Sequence, residues 1–214
     1  MDYENKTDQY YDNYRPEMLA FLPTDVSKIL DVGCSNGGFG KSIKENRDVE
    51  IWGIEPMNDP ATKARSVLDK VIENNIESAI KELPSNYFDV IYFNDVLEHL
   101  LDPYFVLETI KDKLKDGGVV ISSIPNIRYF RNFFKLLFNK DFEYTLEGVM
   151  DKTHLRFFTT NSIKNMYSNA GYSIIKHQGI NGSKSLKPKL FNILFGFKAS
   201  DVRYSQFATV AKKK

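Results

Sequence analysis

Residues Lys28-Ile-Leu-Asp-Val-Gly-Cys-Ser-Asn-Gly-Gly-Phe-Gly40 read as an apolar strand running into a glycine-rich turn. A second apolar run, Ile51-Trp-Gly-Ile-Glu55, ends on a carboxylate. Gly33 and Gly37 let the backbone bend tightly and approach a ligand that a Cβ would strike. A helix starting near Gly37 would offer the unpaired N–H groups of its first turn. Glu55, at the tip of its strand, can accept hydrogen bonds from both hydroxyls of a ribose. The combination predicts a nucleoside site at the carboxyl edge of a parallel sheet. A dinucleotide cradle would read Gly-x-Gly-x-x-Gly, whereas here that spacing from Gly33 meets Ser35 and Gly38. Asp31 would repel a pyrophosphate and suit an ammonium. Both points count against a nicotinamide dehydrogenase.

The 214 residues suit one α/β domain with a modest insertion. Strands are expected at 28–32, 51–55, 70–73, 88–93, 117–123, 172–179 and 205–211. Helices are expected near 37–46, 60–68, 77–82, 96–114 and 160–170, with a short one starting at Pro16. Such alternation predicts a parallel sheet with helices on both faces. A net charge of +1 argues against a general nucleic-acid binder. The single cysteine, Cys34, excludes an internal disulfide and fits a reducing compartment. In the turn it serves either as a reactive thiol or as a small residue. The opening Met1-Asp-Tyr-Glu-Asn-Lys6 is unlike a secretory leader, and no apolar run approaches the roughly 20 residues of a membrane span. A soluble, cytoplasmic protein is the expectation, with Lys212-Lys-Lys214 as a solvated tail.

Asp31-Val-Gly-Cys-Ser-Asn-Gly37 resembles the first motif of class I S-adenosylmethionine-dependent methyltransferases, Asp-x-Gly-x-Gly-x-Gly, with Ser35 at the middle glycine. Further segments follow in that family's order: Glu55-Pro-Met57, Val71-Ile-Glu-Asn-Asn-Ile76, Phe88-Asp-Val-Ile-Tyr-Phe-Asn-Asp95 and Leu114-Lys-Asp-Gly-Gly-Val-Val-Ile-Ser-Ser-Ile-Pro125. The resemblance covers most of 28–125. It implies a Rossmann-like methyltransferase fold: a seven-stranded, mostly parallel sheet with the last strand antiparallel and helices on both faces. It also implies S-adenosylmethionine as cofactor. Asp31, Gly33, Cys34, Ser35 and Gly37 would form the turn beneath it, and Glu55 would take the ribose. Pro56 and Met57 would lie near the adenine. Asn75 would accept from the adenine amino group where the family has an acidic residue, and Ile76 would pack on the ring. Asn94 and Asp95 would stand beside the sulfonium. Tyr11 and Arg15 either close over the cofactor carboxylate or belong to a surface helix.

On the acceptor side, a helix begun at about residue 95 would put Asp95, Glu98 and His99 on one face, at i, i+3 and i+4. A further ligand is at hand in Asp151-Lys-Thr-His154. Asp95, Glu98, His99 and His154 are thus candidate ligands of Mg2+ or another divalent cation. The arrangement resembles that of metal-dependent small-RNA 2′-O-methyltransferases and ubiquinone-pathway O-methyltransferases, with Asp95 in place of a first glutamate. Three readings stand open: a cation polarising a hydroxyl, His99 or His154 as a metal-free general base beside Glu98, or local packing. His177 reads as structural.

Tyr11-x-x-Tyr-Arg-Pro-Glu-Met18, Ser123-Ile-Pro-Asn-Ile-Arg128 and the run from Glu143 to Thr159 look like one bacterial branch associated with O-antigen, capsule or other surface polysaccharides. That resemblance implies a sugar hydroxyl on a nucleotide, lipid carrier or glycan end as acceptor, in a polar pocket lined by Asn126 and Arg128. The rivals are a phenol or amine methyltransferase and a non-catalytic cofactor-binding scaffold of a glycan assembly complex. Residues 126–153 and 183–200 are small insertions that mix basic with aromatic residues. They suit an acceptor lid, a contact with an anionic membrane or a homodimer contact. With 1–23 as an N-terminal helical lid, residues 1–214 make a single methyltransferase domain.

Overall fold

In the computed structural model, which describes residues 14–214, the opening apolar run is strand β1 (Lys28–Val32). Parallel neighbours β2 (Glu50–Ile54) and β4 (Phe88–Asn94) flank it. The sheet continues with β3 (Lys70–Ile72) beside β2 and β5 (Leu114–Pro125) beside β4, both parallel. The last strand in the chain, β7 (Tyr204–Lys213), inserts antiparallel between β5 and β6 (Tyr172–Gly182). The spatial order is β3-β2-β1-β4-β5-β7-β6. The expected fold class, mostly parallel with an antiparallel last strand, is the observed one.

Strand residues alternate between two apolar layers, as a pleated strand buried on both faces must. Ile29, Val90 and Tyr92 face α1 (Pro16–Leu19), α2 (Gly38–Lys44) and α3 (Asn58–Ala64). Leu30, Val32, Ile91 and Phe93 face α4 (Ile76–Ala79), α5 (Pro103–Ile110) and, beyond the short α6 (Phe130–Phe134), α7 (Thr160–Asn169). Buried tyrosines keep their hydroxyls paired: Tyr167 donates to Ser122 Oγ at 2.7 Å and Tyr172 to the Leu107 carbonyl at 2.8 Å.

The continuous helix expected over 96–114 does not form. A 3-10 turn spans Leu97–His99, and α5 starts afresh at Pro103. Proline inside a helix loses a hydrogen bond and clashes with the preceding turn, whereas at the first position its fixed φ is suited. Asp102 completes the start by accepting from Phe105 N at 3.0 Å. The expected basic tail is also corrected: Lys212 and Lys213 belong to β7, opposite Ser173 and Tyr172.

The two insertions pack on each other. Phe191 of α8 (Lys187–Leu194) sits against Phe133 and Phe134, with ring centroids 5.4 Å away in both pairs. Asn126 is fully buried, and its amide nitrogen donates to the carbonyls of Asp201 and Tyr204, 3.0 Å each. Arg128 Nε donates to Asp201 Oδ2 at 2.7 Å. The polar acceptor pocket expected from these two residues is therefore not built as such. Asn126 ties the insertion to the root of β7, and Arg128 lines a separate cavity of about 560 Å³ between residues of 127–150 and Ser205.

Candidate active site

A cavity of about 730 Å³ opens at the carboxyl ends of β1, β2 and β4. Asp31, Gly33, Cys34, Ser35, Glu55, Pro56, Met57, Asn75, Ile76, Asn94, Asp95 and Arg15 all line it. Gly37 stands behind the wall as the N-cap of α2. Tyr11 lies outside the described residues.

The turn after β1 is stitched to β2, because Gly33 N and Cys34 N both donate to the Ile54 carbonyl at 2.8 and 3.1 Å. Gly33 has φ 71°, and a Cβ there would stand 2.7 Å from Val96 Cγ2. Ser35 takes φ 52°, the left-handed conformation in which the missing middle glycine would be at ease. Its N–H donates to Glu55 Oε2 at 3.0 Å, while Met57 N–H donates to Oε1 at 3.0 Å. Each oxygen keeps a lone pair for a ribose hydroxyl.

Burial pushes the Glu55 carboxyl up, against the pull of those two N–H groups. Asp31 is raised to about 7 by burial and then by Glu55, with Arg15 opposing. Two buried carboxyl groups on one wall suit a ligand that carries positive charge. The Cys34 thiol is pushed well above its ordinary range by burial, Asp31 and Glu55. It is a small packed residue there, not an activated nucleophile. Asn75 caps α4, accepting from Ser78 N at 2.9 Å, and its oxygen retains a second lone pair.

Asp95 departs from the expected helical face. It has φ 56° and precedes the 3-10 turn. Its carboxylate pairs with Arg15 and accepts from Ser123 Oγ at 2.8 Å and from Gln206 Nε2 at 2.7 Å. Arg15 NH2 donates to Ser123 Oγ at 2.7 Å. Asp95 is therefore engaged by β5, β7 and the N-terminal segment and does not join the metal candidates. Ser123 and Gln206 escaped the sequence reading. Only the antiparallel insertion of β7 brings Gln206 opposite Ile180 and within reach of β4.

Glu98, His99 and His154 do converge, each offering a ligand atom within 4.8 Å of the others. Glu98 is 1% exposed, and neither carboxyl oxygen has a hydrogen-bond partner among the described residues. His154 Nε2 lies 3.9 Å from Glu98 Oε1, and the two imidazoles meet edge-on at 4.7 Å. His99 Nδ1 faces the Thr153 carbonyl and His154 Nδ1 the Val149 carbonyl, both at 3.1 Å. A carbonyl can only accept, so Nδ1 carries the proton and Nε2 is the basic nitrogen of each ring. Leu155 N and Arg156 N donate to the Glu98 carbonyl, fastening the two segments. Burial, then Asp95, drives the Glu98 carboxyl well up. Burial and His154 lower His99 to about 4, so it is neutral at physiological pH. His177, as expected, is structural: its ring nitrogens meet Thr160 Oγ1 at 2.7 Å and Thr209 Oγ1 at 3.0 Å.

The family described as a methyltransferase domain matches residues 3–177. The chain belongs to that family. This methyltransferase shares its fold with an S-adenosylmethionine-dependent methyltransferase of Archaeoglobus fulgidus, with TM-score 0.72 and 17% identity over 92% of this chain and 91% of that one. It is 26% identical over 148 residues to a ubiquinone biosynthesis O-methyltransferase of Shewanella sp. (strain ANA-3), which covers 66% of this chain and 61% of the relative. It is 36% identical over 109 residues to phosphoethanolamine N-methyltransferase 3 of Arabidopsis thaliana, covering 49% of this chain and 22% of that protein. The chain thus spans less than two thirds of the length of either relative. S-adenosylmethionine is the methyl donor this membership implies. The residues present fit it: the buried Asp31 carboxyl for its cationic end, and a doubly anchored Glu55 and an Asn75 acceptor for its nucleoside. Among the described residues no helix is long and apolar enough to cross a membrane.

Proposed function

We propose that this methyltransferase O-methylates a hydroxyl acceptor, with Glu98, His99 and His154 forming the acceptor side of the site. The observation that carries this reading is the Glu98 carboxyl, buried with no hydrogen-bond partner on either oxygen among the described residues and set beside two imidazoles. A hydroxyl is a poor nucleophile until its proton has somewhere to go. The sulfonium cofactor supplies an already activated methyl group, so alignment by the turn and Glu55 provides much of the acceleration.

Glu98, His99 and His154 would hold a divalent cation, each imidazole ligating through Nε2 while its Nδ1–H is kept by a backbone carbonyl. Such an ion would supply Lewis acidity toward a bound hydroxyl. The orphaned carboxyl oxygens and the neutral His99 match that donor set. Without an ion, His99, which lines the cavity, is the general base. Asp31, Glu55 and Asn75 would hold the cofactor, and Arg15 would turn from Asp95 to meet its carboxylate.

For the acceptor we infer a sugar hydroxyl of a surface polysaccharide or glycolipid, on the strength of the three resembling segments. Phe142, Tyr144 and Phe157, which adjoin His154 through mutual ring contacts, would stack on a sugar face. Those same apolar rings favour a phenol as the second reading, as does the name of the Shewanella relative.

The test is methyl transfer to sugar nucleotides, lipid-linked sugars, catechols and phosphoethanolamine, before and after chelation and with Mg2+ restored. Turnover on a hydroxyl acceptor, lost on chelation and absent in Glu98→Gln, is the expected result. Turnover on phosphoethanolamine alone would overturn O-transfer. Activity indifferent to chelator would overturn the cation and leave His99 as base. S-adenosylhomocysteine binding in Glu98→Gln separates a lost acceptor side from a lost fold.

A further inference from the structure

We propose that the outward face of α8, with the adjoining turn at 135–139, docks on an anionic lipid surface. Phe191 of α8 faces inward, 7% exposed, yet the opposite side is no polar face. Leu186, Leu190, Ile193 and Leu194 follow one another at helical spacing, and Leu190 and Leu194 are 61% and 75% exposed. At roughly 3.6 residues per turn, Lys187 and Lys189 fall on the two sides of that stripe. An apolar stripe edged by long cationic side chains is what a helix lying in a membrane interface requires. The leucines enter the acyl boundary while the ammonium groups reach phosphates.

The second insertion extends the face. Leu136, Leu137 and Phe138 are exposed on the turn that follows α6. A row of touching rings joins the two: Phe138 to Phe134 at 5.2 Å, Phe134 to Phe191 at 5.4 Å, and Phe191 to Phe195 at 4.4 Å. Between Gly182 and Asp201 the chain has Lys184, Lys187, Lys189 and Lys198 and no carboxylate; between Asn126 and Asp141 it has Arg128, Arg131, Lys135 and Lys140, of which Arg128 pairs with Asp201 and Lys135 with Glu143.

That one-sided charge selects the occupant. A two-fold interface would press the lysine edges of α8 against those of its own copy, like charge to like, with no acidic side chain between Gly182 and Asp201 to pair them. A surface of anionic headgroups meets both the charge and the apolar stripe. The inference stands whatever the methyl acceptor.

The test is sedimentation with vesicles of phosphatidylcholine alone and of phosphatidylcholine doped with phosphatidylglycerol, at low and high salt. Binding to the anionic vesicles, weakened by salt, is expected. Leu190→Ser and Leu194→Ser should each weaken it on the order of tenfold. Exchange of Lys184, Lys187, Lys189 and Lys198 for Gln should abolish the preference for anionic lipid. S-adenosylhomocysteine affinity should be unchanged in all of these variants. Equal binding to both vesicle types, or none, would overturn the proposal. So would a dimer in sedimentation velocity that Leu190→Ser converts to monomer.

Discussion

At the scale of single residues, the cavity wall holds negative charge at a cost to the fold. Asp31 sits at about 7 against an ordinary 3.8, so between those values the folded protein binds more protons than the unfolded chain. Its contribution therefore runs opposite to that of a salt-bridged aspartate: stability falls as pH rises through that window. Glu55, raised in the same direction, adds to the slope. His99, lowered to about 4, slopes the other way below pH 6.5, so the difference between proteins isolates Asp31: the melting temperature of ligand-free Asp31→Asn should rise relative to that of the parent protein from pH 5 to pH 7.5. If Asp31 meets the cofactor's ammonium, S-adenosylhomocysteine affinity should climb over the same range, which titration calorimetry would read. Ser35 offers a second residue-level test. A left-handed L-residue costs about 1–2 kcal/mol and glycine's extra chain entropy returns roughly 0.5–1. Ser35→Gly should thus raise stability by up to about 1 kcal/mol in urea unfolding with cofactor binding retained.

At the scale of elements, the sequence was legible where punctuation was local. Gly33 and the carboxylate after β2 located the cavity wall, whereas the helix expected over 96–114 ran past Pro103, where α5 starts. The face shared by Asp95, Glu98 and His99 was misjudged for that reason: a 3-10 turn and a left-handed Asp95 separate the two carboxylates. Asn126 was read as a pocket residue because nothing local reveals that its partners are Asp201 and Tyr204. Its role as the joint between insertion and sheet gives a prediction. Asn126→Ala removes two donated bonds and leaves Arg128 N without its 3.0 Å acceptor. With about 1–3 kcal/mol for each buried group left unsatisfied, denaturant unfolding should show a loss of several kcal/mol. The conservative Asn126→Asp should not recover it, since a carboxylate cannot donate to carbonyls.

At the scale of the whole molecule, the site is assembled from segments far apart in the chain, which is why no stretch of sequence contains it. Arg15, Asp95, Ser123 and Gln206 form one polar knot from four elements. Arg15→Ala should disconnect the N-terminal segment from the sheet. The expected sign is weaker S-adenosylhomocysteine binding with Tm lowered only modestly. Such a split would mark Arg15 as a closing residue, because α1 keeps its own anchor in the buried Met18.

The antiparallel placement of β7 also sets the order of events at birth. On the ribosome, β6 emerges before the strand that pairs it to β5, and Gln206 arrives later than every other partner of Asp95. Until then the nascent chain has its glycine turn and the Glu55 carboxylate but an unclosed polar knot and an insertion with no root at Tyr204. Catalytic competence should therefore appear only once β7 has been made, and a chain arrested at Arg203 should fail to retain cofactor.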